Sequence, residues 1–551
     1  MQLEAFYQCA VPIMGGGLPS ALQQPETAAL IAQIQDLLQR CKSIAKTVKL
    51  TRPTKGLSPA DPGLLPPPRH VADVMVSLYF EAFESTHRIL HISSFWSEYH
   101  RYWECPEVAP LTLRLKILLV TAIGSSIYEG DTDTNIRRMV RSWIYTAQDW
   151  LAASTAKENK AAITEMQIHC LAVFARQIFS IDGDQVWTSL GSLIHRAMRL
   201  GLHRDPKHLP SMSVLHAELR RRLWATILEL TVQASLDSEM PPRICLDEFD
   251  TEPPSNVNDS DLDESTIVVQ SRANGVYTSA SLQILLLKSF PMRLRILKLM
   301  FGLPSDISYL DVLALSDEMT GMHRTCSRFL LENAPNGVTT FHRNLFSYTM
   351  HWILLSLHCP FANKARSNPL LYFSLKTSID KAMAIISPEP DQAFGSLMAI
   401  GGGLCTAAIK YAMATIGVEL LTQVDAQGSE GGHRSNSLYI EQLTQALRKR
   451  LAFSAERIRN GETKVKTHMF LSMMLAQVEA TQAGTSRELE IASSARDSLE
   501  MCHDLLQRRI AATTLLDPEG TGLTPISLEG GQDAFGLDLD LDFLLPDANF
   551  I

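Results

Sequence analysis

The sequence predicts an all-α protein, a multi-helix domain set between a disordered N-terminal linker and an acidic C-terminal tail. Three observations carry this expectation. From Val71 to Arg509 apolar residues recur at steps of three and four, no segment sustains the alternation of a half-buried strand, and Gly and Pro clusters fall between the periodic runs. The composition shifts divide the chain into residues 1–70, 71–390, 391–516 and 517–551.

Residues 1–24 contain Gly15-Gly16-Gly17 and Pro19 and read as a loose terminus. A helix follows, because Ile31, Ile34, Leu38, Cys41, Ala45 and Val48 form a heptad seam. Two roles fit it. The first is a dimerising coiled coil, giving a homodimer, whose basic residues Arg40 to Lys55 touch phosphates or serve nuclear import; the second is an amphipathic helix packed on its own domain. Cys41 and Ala45 make the seam thin, and short isolated helices are marginal, which favours packing. Residues 51–69, with Pro53, Pro59, Pro62 and Pro66-Pro67-Pro68, form a linker. Helices are then expected over Asp73–His91, Leu111–Tyr128, Ile136–Leu151 and Ala161–Phe179. Later helical stretches are Ser279–Cys359, Tyr372–Ile386, Ser396–Leu421, Ser437–Arg459 and Thr463–Arg509, with a polar loop at Gln423–Asn436.

The most informative stretch is Asp184 to Asp263. Trp187, Leu190, Ile194, Ala197 and Met198 give a helix one apolar face, with Asp184 as N-cap, Gly201 as the left-handed C′ residue and Pro206 as the stop. A second helix carries Leu219, Leu223, Ile227 and Leu230 as its inward stripe, widened by Trp224. Arg220, Arg221 and Arg222 interrupt that stripe. At about 100° per residue Arg221 falls opposite it, whereas Arg220 falls beside it and needs a carboxylate or carbonyls. The acidic turn after Met240, with Asp247, Glu248, Asp250 and Glu252, offers partners, so a clamp between helix and turn is favoured over a phosphate site.

The string Trp187 to Asp205 resembles the W…G-x-A-x-R-x-A…GLHRDP segment of the fungal-specific transcription factor domain, the middle homology region of fungal zinc-cluster regulators. Glu218 to Trp224 is similar to that family's E-x-RRR-x-W, and Met240 to Asp261 to its Pro-rich turn. Ser77–Tyr99 and Leu354–Lys376 extend the likeness over about residues 64 to 390. The resemblance makes Trp187, Gly201, His203, Arg220, Arg221, Arg222, Trp224, Pro242, Asp250, Pro254, Asn256 and Asp259 the structural signature. The family's Gly-Arg-Pro is replaced by Met240-Pro241-Pro242-Arg243, and Cys359 stands where a basic residue is common.

The net charge of −9 is concentrated in residues 517–551, which hold eight acids and neither Lys nor Arg. The body is nearly neutral and lacks the basic balance of a chain that holds nucleic acid across its surface. Nine scattered cysteines, never spaced Cys-x2-Cys, point to reduced thiols in a cytosolic or nuclear protein. No signal peptide is evident, and the apolar run Phe394–Ile409 is short for a membrane span of about 20 residues. His87 and His91 lack a third ligand. Ser43-x-x-Lys46 and Ser378-x-x-Lys381 lack the companions of a serine acyl-enzyme, and Gly401-Gly402-Gly403 lacks the Lys and Ser/Thr of a phosphate loop. An all-helical enzyme is therefore the lesser alternative.

In the tail, Phe535, Leu537, Leu539, Leu541, Phe543, Leu544 and Leu545 mix with Asp538, Asp540 and Asp542, the composition of an acidic activation segment open to coactivators. The expectation is a nuclear transcription factor acting on RNA polymerase II pathway genes, with specialised-metabolite clusters implied by the resemblance. The family's zinc module is not visible, since Cys9 and Cys41 cannot build it. No cofactor is expected in this chain, zinc entering only with an upstream cluster. DNA would then be reached through a module upstream of Met1 or a partner protein, or the chain would be a dominant-negative form.

Overall fold

The computed structural model describes residues 25–50, 56–57, 64–130, 134–153, 159–273, 275–302, 307–365, 367–400, 403–429 and 437–515. These residues form helices and short 3-10 turns, with no strand among them. The chain is all-α. The tail residues Phe535 to Leu545 and the Gly401-Gly402 pair lie outside the described residues.

Contacts separate the chain into two units, one spanning 53–357 with 389–398, the other combining 1–52, 358–388 and 399–551. In the first, α2 (Arg69–Ala82), α4 (Leu111–Ser125) and α6 (Asn159–Phe179) pack side by side. Helix α3 (Ile92–Glu104) and α5 (Thr134–Ala153) flank α4. Leu115 and every residue from Ile117 to Gly124 of α4 are buried, as befits a helix apolar all round. Gly124 permits its close approach to α2, because a Cβ there would fall on the Met75 carbonyl. Helix α8 (Val214–Asp237) is the second central rod, covered by α6, α7 (Gly183–Arg199) and α9 (Ser281–Phe301). Helices α10 (Tyr309–Glu332), α11 (Thr340–Lys364) and α13 (Gln392–Ala399) follow, α11 continuing into the second unit.

The second unit contains α12 (Tyr372–Ile386), α14 (Thr406–Ser429), α15 (Ser437–Arg459), α16 (Lys466–Ala483) and α17 (Arg487–Leu515), and α1 (Pro25–Leu50) packs along α17. Ile31, Ile34, Leu38, Cys41, Ala45 and Val48 are all buried, with no exposure above 8%. The heptad seam is thus filled within the chain, against the buried stripe Ala495, Leu499, Cys502 and Leu506 of α17. The Cys41 thiol donates to the Leu499 carbonyl at 3.9 Å. Burial pushes this thiol up to about 11, and Cys502 up to about 12. The described cysteines are free thiols.

Several helix boundaries differ from those the periodicity predicts: the stretch expected from Ser279 to Cys359 breaks between Phe301 and Tyr309 and between Glu332 and Thr340, and the helix expected to Tyr128 ends at Ser125. The expected helix to His91 ends at Ala82, because the buried Glu84 carboxyl group takes the Leu90 N–H (2.8 Å), lies 2.6 Å from the Tyr79 hydroxyl and folds the chain into a tight turn. The run through Arg509 breaks at Gly484, whose φ of +70° ends α16. Residues 400–405 separate α13 from α14. Helix α14 continues to Ser429, seven residues into the stretch expected as loop, because local polarity does not stop a helix whose inner face is buried.

Candidate functional site

The signature residues converge on α8 and the turns that wrap it. Helix α7 starts at Gly183, one residue before the expected cap, with Asp182 as its N-cap at φ +48°. Its other end closes as a Schellman motif: Gly201, at φ +72°, donates to Met198 (2.9 Å) and Leu202 donates to Ala197 (2.9 Å). Trp187 Nε1 donates to the Pro241 carbonyl at 3.2 Å, and the Arg243 guanidinium lies 4.5 Å from its ring centroid. Met240-Pro241-Pro242-Arg243 therefore still reaches α7, with Pro242 buried.

Helix α8 is buried on almost every side, so one apolar stripe does not describe it. Its three arginines go in three directions. Arg220, 7% exposed, donates from Nη2 to the Leu200 carbonyl at 2.6 Å, at the end of α7 and not in the turn after Met240. The last carbonyls of a helix lack internal partners and carry its negative end, which draws a cation. Arg221, expected to point away, makes a two-pronged pair with the fully buried Asp205, Nε to Oδ2 at 2.9 Å and Nη2 to Oδ1 at 3.0 Å. The GLHRDP loop folds over the side of α8 that the periodicity leaves to solvent. Burial would raise the Asp205 carboxyl, but Arg221 and the backbone N–H groups of Lys207 and Glu252 hold it down at about 2.

Arg222 is the residue that meets the acidic turn. Its Nη1 donates to Asp259 Oδ1 at 2.7 Å, and both side chains are buried. The same oxygen receives Arg88 Nη2, while Arg88 Nη1 donates to the Ser279 carbonyl at 2.6 Å. Asp259 Oδ2 accepts from the Ile92 N–H at 2.8 Å, and its carbonyl lies 3.1 Å from His91 Nε2. Burial works against the Asp259 charge, yet Arg88 and Arg222 hold its carboxyl below the usual range. One carboxylate therefore ties the turn after α2, the start of α3, α8 and the approach to α9. Glu218 accepts from Ser255 N–H (2.6 Å) and Ser255 hydroxyl (3.0 Å), pinning the same turn one helical turn earlier.

Asn256 organises the next loop. Its amide donates to the carbonyls of Ala273 (3.1 Å) and Val276 (2.9 Å), and its oxygen accepts from Thr278 (2.6 Å) and Ser281 (3.2 Å). Pro254 is buried beside it. Asp250, largely at the surface, accepts from the Asp205 N–H at 2.8 Å and pairs with Arg204 at 3.1 Å. Trp224 packs edge-on to Phe249 at 5.6 Å, with the His203 ring 6.4 Å away. Sequence reasoning did not single out Arg88, or the buried pair Glu229–Arg293 on α8 and α9 (2.6 and 2.9 Å). Arg88 lies in the polar run Glu84-Ser85-Thr86-His87-Arg88, where no local pattern marks it as buried.

This geometry fastens and does not react. Every acid named here is held by arginines or backbone N–H groups, and His87, whose ring burial pushes down to about 4, stacks on Phe174. Among the described residues no group of three or more His, Cys, Asp or Glu side chains could hold a metal ion, so none of them builds a zinc cluster. No described helix is long and apolar enough to cross a membrane.

Residues 76–350 match the family described as the fungal specific transcription factor domain. The transcription factor asR3 of Sarocladium schorii is 38% identical over 95% of this chain and 68% of its own length. The aspyridones cluster regulator apdR of Emericella nidulans is 28% identical, covering 74% of this chain and 57% of its own. The Zn(2)-C6 fungal-type transcription factor pigI of Monascus ruber is 26% identical over 58% of this chain and 40% of its own. No solved structure matches the chain.

Proposed function

Because this chain belongs to the fungal-specific transcription factor domain family, homologous to regulators of secondary-metabolite clusters, we propose that it acts in the nucleus on RNA polymerase II transcription of one such cluster. The likeness to asR3 along nearly the whole chain supports transcription regulation, and the likeness to the aspyridones cluster regulator apdR supports a cluster as its target. The protein is not an enzyme, and the clamp around Asp259 serves to hold the regulatory helices in register. DNA is contacted through a zinc-cluster module of the kind named in the pigI relative, either on the same polypeptide or on a partner. Coactivators are engaged by the tail, where Phe535, Leu537, Leu539, Leu541, Phe543, Leu544 and Leu545 supply apolar contact and Asp538, Asp540 and Asp542 keep it solvated.

Two experiments test this. Deleting the gene should lower transcripts of one contiguous set of biosynthetic genes, and restoring it should recover them; unchanged transcripts under producing conditions contradict the reading. Fused to an unrelated DNA-binding domain, residues 517–551 should activate a reporter. Alanine at the seven apolar positions should abolish that activity, and an alanine version as active as the original removes the activation role.

A further inference from the structure

Between α14, α15 and the start of α16 lies a cleft with a cavity volume of about 30 Å³. A water needs about 10–15 Å³ measured this way, so the space suits a small polar headgroup. Four cations line it, Lys410, Arg450, Arg457 and Lys464, against the single carboxylate of Glu462. That carboxylate is already engaged, 3.5 Å from Arg457 and accepting the N–H groups of Thr463 and Lys464 at 3.0 and 3.1 Å. The remaining titratable wall group is His468, whose ring burial pushes down to about 4, leaving it neutral with Nδ1 2.7 Å from the Ser498 hydroxyl.

Arg450 is the telling residue. It is 8% exposed, Nη2 donates to the Ile386 carbonyl and its face lies 4.7 Å from the Phe453 ring centroid, but Nε and Nη1 have no hydrogen-bond partner. Leaving a buried guanidinium without an anion is costly. Two helix N-termini also reach the cleft, α14 through its first residue Thr406 and α16 through Thr467, adding positive dipole ends and hydroxyl donors. The rest of the wall is Ile409, Met413, Phe453 and Ile458, with Ser454, whose hydroxyl donates to the Leu451 carbonyl at 2.8 Å. We infer that this cleft binds a small organic carboxylate, one oxygen taken by Arg450 Nη1 and its carbon body lying on the apolar wall. The apolar wall suits an anion with a carbon body, which phosphate and chloride lack. The occupant would lock α14, α15 and α16 together, in a part of the chain outside the signature around Asp259.

The test uses the full chain and three probes, sodium propionate, sodium benzoate and inorganic phosphate, each against sodium chloride at equal ionic strength. Calorimetry measures affinity, and the methyl resonance of Met413, which lines the cleft, reports occupancy locally. Propionate or benzoate should bind saturably at one site and shift Met413. Arg450→Met should weaken binding about 10–100-fold, the value of one charge-assisted hydrogen bond. Lys464→Gln, at an exposed position, should weaken it several-fold with the thermal midpoint unchanged. Shifts that do not saturate or are matched by chloride overturn the inference. So does binding of phosphate alone, or carboxylate binding unaltered in both variants.

Discussion

The Asp259 clamp makes a quantitative prediction. Asp259→Ala takes away the carboxylate that both Arg88 and Arg222, 1% exposed each, hydrogen-bond, leaving Arg222 only Glu218 at 4.0 Å. Burial already opposes the Arg88 charge and Arg222 repels it further, so the carboxylate is what makes both charges tolerable. Breaking a buried pair costs about 3–5 kcal/mol, a large share of the roughly 5–15 kcal/mol that holds a domain folded. Arg222→Met should cost less, about 1.5–3 kcal/mol, because Asp259 keeps Arg88 and the Ile92 N–H. The combined variant Arg88→Met, Arg222→Met, Asp259→Leu should recover most of the loss, since a buried ion cluster can be replaced by apolar groups at little cost. Urea unfolding followed by tryptophan fluorescence reads this unit alone, because all seven tryptophans lie between Trp96 and Trp352. An Asp259→Ala variant within about 1 kcal/mol of wild type, or one more stable than Arg222→Met, refutes the clamp as the fastening of these helices.

Other outcomes follow from the same geometry. Arg221→Ala should cost about 2–3 kcal/mol in urea unfolding, because it strands the buried Asp205, while Gly201→Ala should cost about 1–2 kcal/mol at its positive φ. Asp205, lowered from 3.8 to about 2, contributes on the order of 2 kcal/mol that is present above pH about 4 and lost as pH falls through about 2; Asp205→Asn should flatten that acid limb. Glu84 has the opposite sign. Burial raises its carboxyl to about 8, so the folded state holds an extra proton between about 4.5 and 8 and stability falls as pH rises through that window, a slope that Glu84→Gln should reduce in unfolding scans.

The helical class was legible because apolar spacing is a local property, and Gly201 was legible because a left-handed C′ residue has a residue-type signature. The three arginines show where local reasoning stops. Angular position on α8 implies an outside and an inside, but α6, α7, α9 and the GLHRDP loop together leave that helix almost no outside. Arg221 is therefore paired with Asp205, and Arg222, not Arg220, meets the acidic turn. Arg88 could not be paired in advance, because its carboxylate lies 171 residues away. The α1 seam raised the same difficulty, since a heptad stripe reads alike whether a second chain or the distant α17 covers it.

The central claim is that this helical chain regulates a particular set of genes. The most direct measurement is chromatin immunoprecipitation of the epitope-tagged protein from its own fungus, made under conditions in which the affected cluster is transcribed. The account predicts enrichment at promoters within one biosynthetic cluster, lost in the Asp259→Ala variant at equal nuclear protein level. Uniform recovery of chromatin without promoter enrichment would contradict it.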